Sequence, residues 1–200
     1  MITARINTTQ FSQRMGSILA QARRPDVIML GVGREAANQL KTHFRKKDQT
    51  DVNKLAPGRR EHFWRQVMNG VQAPVVSTNG HKVTISIVHP AIAQKVFGGD
   101  ITAKRKRNLA IPLEPDAYGR APKVFEQETG FKLFFIRQGS NIGLARAVAG
   151  GGLQWEYLLT PKVHQQPDKT ALPAEGPFEA ALLDRAQRML DRETGAEGPK

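Results

Sequence analysis

Five histidines, His43, His62, His81, His89 and His164, are the side chains best placed by type to hold a metal or move a proton near neutral pH. No two of them stand at the i, i+4 spacing that puts two ligands on one helix face, so the pattern predicts no metal site. Glu126 and Glu128 form the kind of carboxylate pair that acid-base chemistry uses, but the short polar helix around them offers nothing to perturb a carboxyl, and they read as solvated. Gly31-Val32-Gly33-Arg34-Glu35-Ala36 satisfies the glycine spacing of a dinucleotide-binding turn. That turn works only inside a βαβ unit, and the polar stretch at 48–56 cannot supply the buried parallel strand, so both glycines read as small residues where helices cross. Gly150-Gly151-Gly152 lacks the Lys and Ser or Thr of a phosphate loop, and Gly139-Ser140-Asn141-Ile142-Gly143 is not a nucleophile elbow; both read as turns. The absence of cysteine removes disulfides, thiolate zinc sites and a cysteine nucleophile, and suits a reducing cytoplasm. The expectation is a protein that is not an enzyme, with no catalytic residues, cofactor, metal or small-molecule substrate.

What remains chemically conspicuous is positive charge. Thirty Lys and Arg against eighteen Asp and Glu give +12 and an isoelectric point near 10.4, a field that draws nucleic acid or acidic protein surfaces. Residues 1–100 hold 15 basic and 6 acidic groups and residues 101–200 hold 15 and 12, while the segment from Thr170 onward is net acidic. A basic body with an acidic end is self-complementary between copies. The cations cluster at Arg45-Lys46-Lys47, at Arg59-Arg60 and at Lys104-Arg105-Lys106-Arg107. Four consecutive cations are costly to bury unpaired, so 104–107 is expected as an exposed loop contacting a subunit or DNA. Aromatic residues make up only 6% of the chain and none lies in that run, which argues against base reading and leaves phosphate contact open.

The elements that must position this loop follow from periodicity. Thr8 or Thr9 caps a first helix carrying Phe11, Met15, Ile18 and Leu19 at helical spacing, stopped or restarted at Pro25. Val27, Leu30, Ala37, Leu40 and Phe44 continue that spacing into the basic Arg45-Lys46-Lys47, which suits the negative end of a helix dipole. A loop at 48–58 and a helix at 59–69, with Phe63, Trp64 and Val67 inward, come next. Beyond Pro74 the period changes to two: 75–78 and 82–88 flank Asn79-Gly80, a strong hairpin signal. After His89-Pro90, Ile92, Val96 and Phe97 form one helical turn, and Gly98-Gly99 turn the chain sharply with positive φ. Residues 108–113 are an extended run in which Pro112 marks a strand edge. Further strands are expected at 132–137, 142–148 and 155–160, then a proline-rich extended connector at 161–177 and an amphipathic helix to Glu193 with Ala181, Leu182, Ala186, Met189 and Leu190 on one face. Residues 195–200 are expected to fray. No run approaches a membrane span and the N-terminus lacks an apolar signal core, so a soluble protein that is not exported by a signal peptide is expected.

The residues also carry a resemblance. Thr42-His43-Phe44-Arg45, Asn53-Lys54-Leu55, Arg59, His62-Phe63-Trp64, His89-Pro90-Ala91-Ile92-Ala93, Phe97-Gly98-Gly99-Asp100-Ile101, Leu109-Ala110-Ile111-Pro112-Leu113, Leu158-Leu159-Thr160-Pro161-Lys162-Val163 and Pro167-Asp168-Lys169-Thr170 occur in that order. Together they resemble the phage virion morphogenesis proteins of Mu-like phages, over roughly residues 26 to 172. The resemblance implies a structural component of head-tail neck or tail completion, with a minor capsid or head-completion role as the alternative. It further implies a tail-terminator or neck-protein-like α+β fold, a homomeric ring, contacts with other neck, tail or capsid proteins and with packaged DNA, and a place in a virion assembled in the host cytoplasm. A basic nonspecific nucleic-acid-binding protein is the alternative of a different class. The expected organisation is one α+β domain over 1–160, helical to 70 and a mainly antiparallel sheet after it, followed at 161–200 by an arm and a helix that meet another subunit.

Overall fold

The computed structural model describes residues 2–3, 9–104 and 106–195. Thr8, Arg105 and the tail at 196–200, each part of a sequence expectation, lie outside the described residues. In chain order the elements are β1 (Ile2–Thr3), α1 (Thr9–Gln21), α2 (Pro25–Thr50), α3 (Phe63–Asn69), β2 (Val75–Val76), β3 (Val83–Thr84), β4 (Ser86–Ile87) and α4 (Ile92–Phe97). They continue with β5 (Gly99–Thr102), β6 (Leu109–Pro112), α5 (Pro122–Thr129), β7 (Phe134–Gln138), β8 (Asn141–Ala147), β9 (Leu153–Thr160), β10 (Lys162–Gln165) and α6 (Glu175–Thr194). The fold is α+β, and every ladder between these strands is antiparallel. The chain forms two compact units. One holds Met1–Thr50, Phe63–Phe97 and Pro167–Lys200; the other holds Asp51–His62 and Gly98–Gln166.

The first unit is built on α2, which Pro25 starts and Asp26 favours at the positive end of the helix dipole. One cluster joins Met15, Ile18 and Leu19 of α1 to Ile28, Met29, Val32 and Ala36 of α2 and to Leu182, Leu183, Ala186 and Leu190 of α6. The second gathers Leu40, Phe44, Trp64, Val67, Ile87, Ile92 and Ala171. Phe44, Val67 and Ile92 are fully buried, each contributing roughly 1.5–3 kcal/mol relative to exposure. The helix expected over 59–69 is shorter. It begins at Phe63, where Asp48 of α2 accepts the Arg65 backbone N–H at 3.1 Å and so satisfies an orphan donor of the first turn. Asn79-Gly80 does close a hairpin, but through a four-residue loop bounded by Ser77 N–H to Lys82 O at 2.8 Å. A two-residue Asn-Gly turn needs positive φ at both positions, and among the described residues only glycines have it.

Gly31 and Gly33 sit inside α2, so no dinucleotide turn exists at them. A Cβ at Gly31 would collide with Met189 Sδ of α6, the helix crossing anticipated for it. Gly33 differs: its added Cβ would meet Pro74 and Val83, making it a contact between a helix and the β2–β3 hairpin.

The second unit is a four-stranded sheet in the order β6-β9-β8-β7, with a separate β5–β10 ladder. The register passes from Leu144↔Tyr157 to Ala145↔Trp155, leaving Glu156 as the extra residue of a bulge. Tyr157, Phe125 and Ala117 form the small core, Tyr157 and Phe125 meeting edge to face at 6.0 Å. Residues 161–200, expected as an extended arm and an amphipathic helix, make contacts within their own chain. Part of the proline-rich connector is β10, which pairs with β5, and the apolar face of α6 is spent on α1 and α2 of its own chain.

Candidate functional site

The β5–β10 and β6–β9 ladders explain how the basic run is presented. Thr102 pairs with Lys162 and Leu109 with Thr160, so residues 103–108 stand opposite the single residue Pro161. Two nearly continuous strands run side by side, and one of them makes a six-residue excursion. Its base is closed by the Ala103 N–H to the Pro161 carbonyl at 3.2 Å. On the opposite strand the Thr160 hydroxyl donates to the Lys162 carbonyl at 2.8 Å, turning the chain around Pro161. The excursion contains Lys104, Lys106 and Arg107, all exposed, together with Arg105. No carboxylate occurs between Ile101 and Leu113.

The nearest acid in sequence is already engaged. Asp100 of β5 accepts from Lys162 Nζ at 2.6 Å and sits 2.9 Å from His164 Nδ1, both on β10. The hydrogen bond from Lys162, and then that with His164, hold the Asp100 carboxyl below its ordinary range. Its negative charge therefore serves the ladder and does not neutralise the excursion.

The turn residues take the positions expected of them. Gly98 and Gly99 have φ of 65° and 110°, a region closed to most side chains, and carry the chain from α4 straight into β5. Pro112 ends β6, an outer strand of the four-stranded sheet, where no inward donor is lost; the next inward bond comes from Leu113 N–H to Glu156 O at 2.9 Å.

The other two basic clusters are not equivalent to this one. Arg59 is half-buried and donates to the Asp116 carbonyl at 3.4 Å. Lys47 is buried at 8% exposure: its Nζ lies 3.2 Å from Asp168 Oδ2, 2.7 Å from Thr170 Oγ1 and 4.6 Å from the centre of the Trp64 ring. His43, one turn earlier, places Nε2 3.0 Å from the Thr170 carbonyl. Burial lowers the His43 pKa, against the pull of that carbonyl. Burial alone would raise Asp168, but the Thr170 hydroxyl and N–H together with Lys47 outweigh it and hold its carboxyl low. This is a clamp fastening 168–170 to α2. Spacing carried a signal for it, since Lys47 follows Leu40 and Phe44 on the inward side of the helix.

A second buried pair had no such signal. Glu156 is fully buried, bonded through Oε1 to Arg146 Nε at 2.6 Å, and Arg146 also reaches Gln154 at 2.9 Å and lies over the Phe131 ring at 4.3 Å. The bulge turns this carboxylate inward, and bulges do not show in composition. Of the paired glutamates, Glu126 accepts the Leu133 N–H and Glu128 accepts from Arg120 at 2.6 Å, which are structural tasks. His89 accepts the Ala91 N–H and packs edge to face on Phe63 at 4.9 Å. Among the described residues no helix is long and apolar enough to cross a membrane. Compared with known proteins, the chain matches no family model, no curated protein and no solved structure.

Proposed function

We propose that this protein is a noncatalytic structural component of phage virion assembly, joining or completing the head-tail neck or the tail end as a homomeric ring, on a fold of the tail-terminator or neck-protein kind. The observation that carries this reading is the cation excursion at 104–107. It is held out of a paired ladder, it has no acid of its own, and it suits a polyanionic surface that the finished particle would place against it: DNA, or an acidic neighbour. The residues that resemble the morphogenesis family support it as scaffold. Thr42–Arg45 lead into the Lys47 clamp that Asp168 and Thr170 complete, and 109–112 pair with 157–160. A head-completion or minor capsid position uses the same scaffold.

Mass spectrometry of purified virions is expected to find the chain, and electron microscopy of the purified protein to show rings. Replacing Lys104, Lys106 and Arg107 with Ser is expected to leave the melting temperature unchanged, since exposed charges add little to stability, while lowering the yield of infectious particles. An unchanged yield would count against the assembly role of the loop. The second reading, a nucleic-acid-binding protein acting in the cytoplasm, is favoured by the absence of any aromatic or large apolar side chain in the excursion. It requires the free monomer to bind duplex DNA with an affinity that falls steeply with salt, by a slope of about 0.9 per phosphate contacted.

A further inference from the structure

The four-stranded sheet has two outer strands, and they are treated differently. β6 is blunted by Pro112 and by the cation excursion before it. β7 has neither protection. It exposes Phe134 at 51% and Phe135 at 64%, with Phe131 at 43% just before it. An open edge carrying two exposed phenylalanines is a template for strand pairing and an aggregation hazard unless something covers it.

The backbone specifies what fits. Gln138 and Asn141 close the two-residue turn between β7 and β8, so by antiparallel alternation 138, 136 and 134 bond inward while 133, 135 and 137 face outward. The outward N–H of Leu133 is already taken by Glu126 Oε1 at 2.9 Å, which caps the edge at that end, and the turn at Gly139 ends it at the other. The open groups are therefore the N–H and C=O of Phe135 and Arg137, for which no partner occurs among the described residues. They are symmetric about Ile136.

We propose that β7 pairs antiparallel with β7 of a second copy about a two-fold axis at Ile136. This register uses the N–H and C=O of both residues: Phe135 bonds the partner's Arg137 in both directions, and Arg137 bonds the partner's Phe135. Centring on 135 or 137 would oppose an outward residue to the capped Leu133 or to the turn. The side chains agree with it. Phe135 comes opposite the partner's Arg137, an arrangement the chain already uses within itself where Arg146 lies over Phe131. Ile136 meets its own counterpart as a non-hydrogen-bonded pair, with Cα atoms about 4.5 Å apart. The contact joins two four-stranded sheets into one, is isologous, and does not depend on the phage reading.

The lack of cysteine makes the test direct. The full chain should sediment at twice 22.1 kDa or as a multiple built from such pairs. Ile136→Cys should form a reducible cross-linked dimer under mild oxidation, because the pair spacing matches a disulfide. Val52→Cys, at a site 86% exposed in a different segment of the chain, should not. Phe135→Lys should lose the paired contact while keeping the circular dichroism of the parent, and its melting temperature should no longer rise with protein concentration. If Phe135→Lys loses its circular dichroism, the Ile136→Cys result decides alone. A chain that stays monomeric at high micromolar concentration, a Phe135→Lys protein that is folded and still paired, or cross-linking no stronger in Ile136→Cys than in Val52→Cys would overturn the proposal.

Discussion

Replacing Lys47 with Met tests whether the clamp on 168–170 holds the first unit together. Met keeps most of the stem that packs within α2 but removes the charge, so the Asp168 carboxylate loses its ammonium partner and Trp64 loses the cation above its ring. Removing one member of a fully buried pair costs about 3–5 kcal/mol. Asp168 keeps a quarter of its side chain exposed and both bonds from Thr170, which lowers the figure. A charge-assisted hydrogen bond contributes about 1.5–3 kcal/mol and the cation over Trp64 about 1 kcal/mol, partly recovered by Met packing. The expected loss is about 2–3 kcal/mol, or roughly 5–10 °C in melting temperature for a chain of this size. Urea unfolding followed by Trp64 fluorescence in a Trp155→Phe background reports the first unit alone, which matters because two units need not unfold together. The pH dependence has a definite sign. Asp168 has a folded pKa below its unfolded value near 4, so it stabilises above pH ~4 and that contribution disappears as pH falls through the lower folded value. The gap between Lys47→Met and the parent should therefore narrow below pH ~4, and Asp168→Asn should couple to Lys47→Met by more than about 1 kcal/mol in a double-mutant cycle. A loss under about 0.5 kcal/mol at neutral pH, or additive single variants, would refute the clamp.

Gly99→Val places a β-branched side chain at a φ of 110° and is expected to cost at least about 2–3 kcal/mol by denaturant midpoint; a normally melting variant would show the turn to be misjudged. Tyr157→Phe removes a hydroxyl that donates to the Arg120 carbonyl at 3.1 Å, for an expected loss of about 1 kcal/mol. Burial, reinforced by the charge of Glu156, pushes the Tyr157 phenol up to about 12. A phenol raised above its unfolded value near 10 stabilises fully below pH ~10 and ceases to do so as pH approaches 12, so Tyr157→Phe should flatten the alkaline limb of a stability profile over that interval.

Periodicity made the helices of the first unit legible because each buries a stripe: Met15, Ile18 and Leu19 in α1, and Leu182, Ala186 and Leu190 in α6, are where helical spacing puts them. Turns carried by glycine were equally plain, as at Gly98-Gly99. One further feature was only hinted at and two were not legible, for different reasons. Burial of Lys47 conflicts with the solvated charge that an Arg-Lys-Lys run ordinarily means; only its place one turn beyond Phe44 hints otherwise. Glu156 goes inside because a bulge shifts the strand by one residue, and one extra residue exchanges faces without altering the pattern on either side. The chain passes between the units four times, at 50/51, 62/63, 97/98 and 166/167, so that 51–62 belongs with the sheet and 167 onward with the helices, and contacts between distant segments leave no local trace.

The β5–β10 ladder shows why the presentation of the candidate site had to come from pairing. Gly99-Asp100-Ile101-Thr102 and Lys162-Val163-His164-Gln165 each hold one large apolar residue, too few for either to read as a strand alone. Set against each other they match at every position that matters: Ile101 opposes Val163, and Asp100 opposes His164 while reaching Lys162. Cross-strand pairs of these kinds contribute about 0.2–1 kcal/mol each, and that contribution exists only once the strands are adjacent. The cation run between β5 and β6 could be foreseen as exposed from its charge. That it leaves a ladder opposite one proline, with its neighbouring acid already bound to the other strand, depends on complementarity between segments sixty residues apart, and this complementarity fixes where the loop leaves and rejoins the ladder.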